Sequence, residues 1–151
     1  MLSTISKLRA DISAGDQEDK MKKVKLDAIA EALDWVDDET SVYYNTETGE
    51  TVMYNENWDN EDIDMDEIDF DDKYIALPDQ YEINEYHMME AFAYDHNDDR
   101  LIIAIQGRGA FRRFKDTVDY VGLRNEWFEF RDNCYRSRAE DWCRDHGLEW
   151  E

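Results

Sequence analysis

Three groups of side chains in this sequence have the types and spacing to do chemistry. In the first, Gly107-Arg108-Gly109-Ala110 runs into a helix predicted over 110–121. There Arg108, Arg112 and Lys115 share one face near the first turn, away from Phe111, Phe114, Val118 and Val121, which are assigned to the core. Unpaired backbone N–H groups, the positive end of the helix dipole and three cations would suit a phosphate or a carboxylate. The glycines match neither the Walker nor the dinucleotide pattern. Arg112–Asp116 and Lys115–Asp119 are also spaced for i,i+4 pairs worth about 0.2–0.5 kcal/mol each. The preferred reading is therefore a structural cap packed against an acidic sheet, and the alternative is an anion site.

The second group lies in a helix predicted over 123–146. Arg124, Arg131 and Arg138 recur every seven residues and drift only about 20° per step. They fall in an arc with Trp127, Phe128, Cys134, Tyr135 and Trp142. Interleaved cations and rings could hold single-stranded nucleic acid. They could equally stack on one another or pair with carboxylates of the same chain, which is the expectation here because those carboxylates are so plentiful.

The third group is the acid itself. Asp59, Glu61, Asp62, Asp64, Asp66, Glu67, Asp69, Asp71 and Asp72 form one block, interrupted by Ile63, Met65, Ile68 and Phe70. Such a block repels itself, and it is expected to lie extended, with part docked as a sheet edge. Asp62, Asp64 and Asp66 could start a calcium loop, but Glu67 stands where glycine is required and Lys73 where the bidentate glutamate belongs. No metal site and no cofactor are assigned. His87, His96 and His146 show no ligand spacing beyond His87 with Glu90, and no nucleophile–base constellation is visible. Catalytic residues are therefore assigned to none, and the chain is read as a non-enzyme.

The elements that must position these groups follow from periodicity. Leu2, Ile5, Leu8 and Ile12 predict an amphipathic helix, part of a basic extension over 1–23 that could serve as a dimerisation arm. A second helix is predicted over 26–36. Residues 41–45 and 51–54 read as strands of a hairpin turned at Gly49, and 73–77 as a third strand stopped by Pro78. One helix is predicted over 81–94. Leu101-Ile102-Ile103-Ala104-Ile105 reads equally as strand or buried helix. The expected class is α+β, with a small antiparallel sheet packed on a mainly helical C-terminal half, as one acidic domain over 24–151.

The stretch Ile105-Gln106-Gly107-Arg108-Gly109-Ala110-Phe111-Arg112-Arg113-Phe114-Lys115-Asp116 resembles the signature of a bacterial family, uncharacterised protein family 0158. Val24-Lys25-Leu26-Asp27-Ala28-Ile29-Ala30-Glu31-Ala32-Leu33, the Glu47-Thr48-Gly49-Glu50 turn and Tyr74-Ile75-Ala76-Leu77-Pro78 are similar too. The resemblance covers about 24–147. It implies helix for 101–105 and supplies no activity.

Composition bounds the function. The 151 residues hold 39 acids against 17 bases, a net charge of −22. Residues 1–25 carry six bases and four acids, 26–99 one base and 25 acids, and 100–151 ten of each. The charge balance argues against duplex nucleic acid as a partner, because phosphate contacts need Lys and Arg. No apolar run is long enough for a membrane span, and the start lacks the apolar stretch of a signal peptide. Cys134 and Cys143, nine apart on one predicted helix, lie roughly 13 Å apart at the helical rise, too far to bridge. A cytoplasmic setting is expected. The preferred function is a non-catalytic interaction protein whose negative face, about 26–99, docks on a basic protein surface, imitating nucleic acid. An anion, nucleotide or single-stranded nucleic-acid binder is one alternative, and a metal-dependent hydrolase the other.

Overall fold

A computed structural model describes residues 23–58 and 63–151. The predicted helix over 2–13, and Asp59, Glu61 and Asp62 of the acidic block, lie outside the described residues. The two ends of the fold are tied together. Val24 forms a parallel bridge with Trp150, donating its N–H to the Glu149 carbonyl at 2.8 Å and accepting from Glu151 at 2.9 Å.

Helix α1, Leu26–Leu33, follows at once, and Leu26, Ile29, Ala32 and Leu33 bury one face of it. It stops three residues short of the predicted 36. Asp37 ends the connection in a tight turn, accepting from the N–H groups of Glu39 and Thr40 at 2.8 and 2.7 Å. Those two bonds commit the backbone to β1, Thr40–Asn45. Asn45 Oδ1 then accepts from Glu47 and Thr48, Gly49 takes φ +79°, and β2 returns over Thr51–Asn55. The hairpin register pairs Val42 with Met53 and Tyr43 with Val52.

The acidic block departs from expectation. Instead of an extended edge, its described part forms a short helix, α2, Met65–Phe70. Asp64 accepts from the N–H groups of Asp66 and Glu67, and the acids of the first turn suit the positive end of the dipole. Ile68 is buried, while Phe70 is largely exposed. Strand β3, Tyr74–Ala76, pairs antiparallel with the other side of β1, so the sheet order is β2-β1-β3.

The predicted helix over 81–94 is two. Asp79 and Glu82 close a reciprocal capping box on α3, Gln80–Ile83. Asn84 then takes a left-handed conformation, ends α3 and caps α4, Glu85–His96. Asparagine tolerates that conformation because its side chain bonds locally, and periodicity alone does not register such a break. The ambiguous 101–105 run lies largely in helix α5, Asp99–Ala104, capped by Asp98. Helices α6, Ala110–Tyr120, and α7, Arg124–Asp145, fall within two residues of prediction.

The architecture is α+β. Helix α7 is the spine, packed by α1, α4 and α6. Phe92, Phe114 and Trp127 meet edge to face, with centroids 4.8–6.2 Å apart. The sheet is fastened to the spine by Trp142, which stands on the Tyr44 ring at 5.6 Å and donates its indole N–H to the Ala76 carbonyl at 2.8 Å. No helix among the described residues is long and apolar enough to cross a membrane.

Candidate functional site

The arginines of α7 are consumed within the chain. Arg131 is mostly buried, lies 4.5 Å over the Tyr135 ring, and bonds both the Asp34 carboxylate and Glu85 Oε2, the latter at 3.3 Å. Burial opposes its charge, but the hydrogen bond to Asp34 leads the effects that hold its pKa above the ordinary value. Burial, helped by Glu85, pushes the Tyr135 phenol up to about 12. Arg138 donates from Nε to the Ile83 carbonyl at 3.1 Å, satisfying the end of α3. Arg124 lies 5.6 Å over Phe128 and 3.8 Å from Asp119. Trp127 and Trp142 are core residues. Arg136, outside the seven-residue repeat, pairs with Asp27 of α1. The spacing pointed to three cations on one arc, but their partners come from α1, α3, α4 and the end of α6.

The glycine motif is built around a residue that the spacing argument passed over. Arg113 donates from Nε to the Ala104 carbonyl at 3.1 Å, and its two terminal nitrogens bond the carbonyls of Arg108 and Gln106. One guanidinium thus closes the end of α5 and the whole loop. Gly107 and Gly109 provide the positive φ values, 73° and 76°, that fold the carbonyls inward. A Cβ on Gly109 would come within 3.2 Å of the Arg113 guanidinium. The only sequence signal for this role was the doubled arginine, whose second member falls off the cationic face.

Of the predicted anion face, Lys115 turns to Glu85 at 3.8 Å, not to Asp119, and Arg112 reaches Asp116 at 3.9 Å while almost fully exposed. Asp119 serves Arg124 instead. Phe111, assigned to the core, is half exposed and leans on Tyr86, whose hydroxyl donates to the Ile105 carbonyl at 2.7 Å. The motif packs α5 and α6 together, in place of the expected packing on the sheet.

The hairpin and α2 are different. A groove of about 390 Å³ brings Asp38, Glu39 and Glu56 beside Tyr43, Tyr54 and Met65. Asp38, Glu56, Asp66, Asp69 and Asp72 have no cationic partner among the described residues. The one base of this region, Lys73, stands 3.7 Å from Glu67 and 3.6 Å from Asp71. Phe70 of α2 is exposed, and Tyr43 and Tyr54 add ring surface to the groove.

Among the described residues no three His, Cys, Asp or Glu side chains converge in a metal-binding arrangement. His96 Nδ1 lies 3.1 Å from the Phe92 carbonyl, and His87 lies 3.6 Å from Glu90. Both cysteines are free thiols, and burial pushes Cys143 up to about 11 and Cys134 above its ordinary value, unsuited to a thiolate nucleophile.

The model of an uncharacterised protein family, UPF0158, matches residues 21–150, so the chain belongs to that family. No curated protein and no solved structure matches it.

Proposed function

We propose that this member of UPF0158 is a non-catalytic interaction protein that docks its hairpin–α2 face on a basic surface of a cytoplasmic protein partner. The observation that carries the reading is the contrast in how the acids are used. Asp27, Asp34 and Glu85, which face α7, are matched by Arg131 and Arg136, whereas Asp38, Glu56, Asp66, Asp69 and Asp72 have no cation among the described residues. Unmatched carboxylates raise the local negative potential, steer a basic partner and gain energy when its cations replace water. Tyr43, Tyr54, Met65 and Phe70 add apolar anchors of the kind that dominate interface energetics.

The finer form of the reading is that the partner normally binds nucleic acid and the carboxylates stand in for phosphates. Duplex DNA offers one charge per roughly 1.7 Å of axis, and a partner built for that field would accept an acidic protein face in its place. The cationic faces support the nucleotide-binding alternative less well, because Lys115, Arg124 and Arg131 already have carboxylate partners.

The test is a salt titration. The full chain is mixed with a basic DNA-binding protein, and separately with single-stranded oligonucleotides. Binding to the protein that weakens steeply with salt and is displaced by duplex DNA is the expected result. Binding of the oligonucleotides with none of the basic protein would overturn the reading.

A further inference from the structure

We infer that the open edge of β2 takes up an extended basic segment of the partner as a fourth strand of the sheet. The inference deepens the docking reading just given and rests on it.

Sheet order β2-β1-β3 makes β2 and β3 the two edges. The Asn45 N–H donates to the Glu50 carbonyl at 2.8 Å, and the register runs unbroken from there through Tyr43↔Val52 and Ser41↔Tyr54. In an antiparallel ladder, alternate residues bond inward. Val52 and Tyr54 therefore bond β1, and the backbone N–H and C=O of Thr51 and Met53 point away from the sheet. No described residue meets them.

Sheet edges are ordinarily blunted by shortness, proline, lysine or a bulge. Strand β3 has two of these, being three residues long and followed closely by Pro78. Strand β2, Thr-Val-Met-Tyr-Asn, has none. It opens beside a groove of about 380 Å³ between the hairpin turn and α1, lined by Ala28, Ile29, Tyr44, Glu50, Thr51 and Lys25, whose ammonium pairs with Glu151 at 3.5 Å.

The charges say which strand fits. Glu50 and Glu56 bracket the edge, roughly 20 Å apart along an extended chain. If two copies paired β2 to β2 antiparallel about Met53, Glu50 of each would face Glu56 of the other, and like charges directly opposite destabilise a pair. A second copy is therefore disfavoured by the same residues that would hold a lysine or arginine at each end of an added strand. The occupant is a partner segment of about seven residues, basic at both ends and alternating apolar between, joined chiefly through backbone hydrogen bonds.

The experiment uses the isotope-labelled full chain and a capped seven-residue valine–threonine peptide with lysine at both ends. Amide shifts should concentrate on Glu50–Glu56. Exchanging the terminal lysines for glutamate should weaken binding at least tenfold, and Glu50→Lys with Glu56→Lys should reverse that preference. N-methylating one alternate set of peptide amides should abolish binding, while the other set is tolerated. Equal binding of both methylated peptides, shifts centred elsewhere, no binding, or a dimer joined through β2 would each overturn strand addition. If the basic protein of the preceding section still binds in a salt-dependent way, docking survives and only its mode is wrong. If the peptide binds as described and that protein does not, it is the broader reading that fails.

Discussion

Two acidic regions of this molecule contain the same side chains and put them to opposite uses. On the side facing α7, Asp27, Asp34 and Glu85 each meet an arginine, and Arg131 is drawn almost out of solvent to reach two of them. On the hairpin and α2, Asp38, Glu56, Asp66, Asp69 and Asp72 meet none among the described residues. Net charge therefore says little about either place. What separates them is whether the arginines of α7 lie alongside. Where they do, the carboxylate becomes part of the fold. Where they do not, the carboxylate remains available to something outside.

The largest expected effect comes from breaking the matched side. Arg131→Ala strands Asp34, leaves Glu85 with Lys115 alone and removes the cation over Tyr135. Loss of one partner from a buried pair costs about 3–5 kcal/mol, and the half-exposed Asp34 puts this case near the low end, about 3 kcal/mol. Urea denaturation monitored by tryptophan fluorescence reads it as a lower midpoint at unchanged slope. An unchanged midpoint would mean that the matched acids are as idle as the others, and the comparison would fail.

The next effect probes the same side by pH. Tyr135 and Cys143 are pushed up by burial, from ordinary values of 10.0 and 9.0 to about 12 and about 11. Both bind their protons more tightly folded than unfolded. Their contribution is thus complete below pH 9 and is lost as pH rises through the folded values. Between pH 8 and pH 11 the unfolding free energy should fall steadily, with Cys143 unreactive to alkylating reagents at pH 8 until the chain unfolds. At the other end of the scale, the Glu39 N–H and the Arg100 side chain hold Asp37 and Asp98 below their ordinary value, so both resist protonation as pH falls.

How much of this was legible beforehand depends on whether the signal was local. The strands, the turn at Gly49, α6 and α7 were visible because hydrophobic spacing and glycine punctuation sit in the segment itself. The seven-residue arginine repeat correctly marked α7 as unusual. Its partners were invisible, since Asp34, Ile83 and Glu85 lie far away in sequence. Asn84 was missed because a single left-handed residue leaves the apolar periodicity intact on both sides. The acidic block was misread for a related reason: repulsion argued for an extended chain, while Asp64 and the first-turn acids supplied a cap that repulsion does not cancel. Arg113 escaped because its work is done on backbone carbonyls, which carry no sequence signature.

A third kind of acid sharpens the comparison by working through hydrogen bonds alone. Asp79 accepts from the Glu82 N–H at 2.9 Å, and Glu82 accepts from Asp79 in return. Asp79→Ala should cost about 1 kcal/mol, the usual loss for a removed cap. The midpoint should fall by the same amount at low and high salt, because no ion pair is involved. A strong salt dependence would place Asp79 with the matched acids instead.

The smallest effect on stability is expected where the proposed effect on function is greatest. Asp66 lies in the first turn of α2, where its charge suits the dipole. Asp69 lies in the last turn, where no base is present and the dipole opposes it, and Asp72 follows just beyond the helix. Neutralising all three to asparagine removes one favourable term, at least one unfavourable term and the repulsion among them. Each dipole term is about 0.3–1 kcal/mol, so the sum should lie within about 0.5 kcal/mol of zero. The same triple variant should bind a basic partner more weakly, with a shallower dependence on salt, since fewer charges meet across the contact. Melting curves that coincide while binding falls would assign these acids to recognition. A large loss of stability would show that they hold the fold after all, through contacts as specific as those of Asp34, and the division between matched and unmatched acids would no longer separate structure from function.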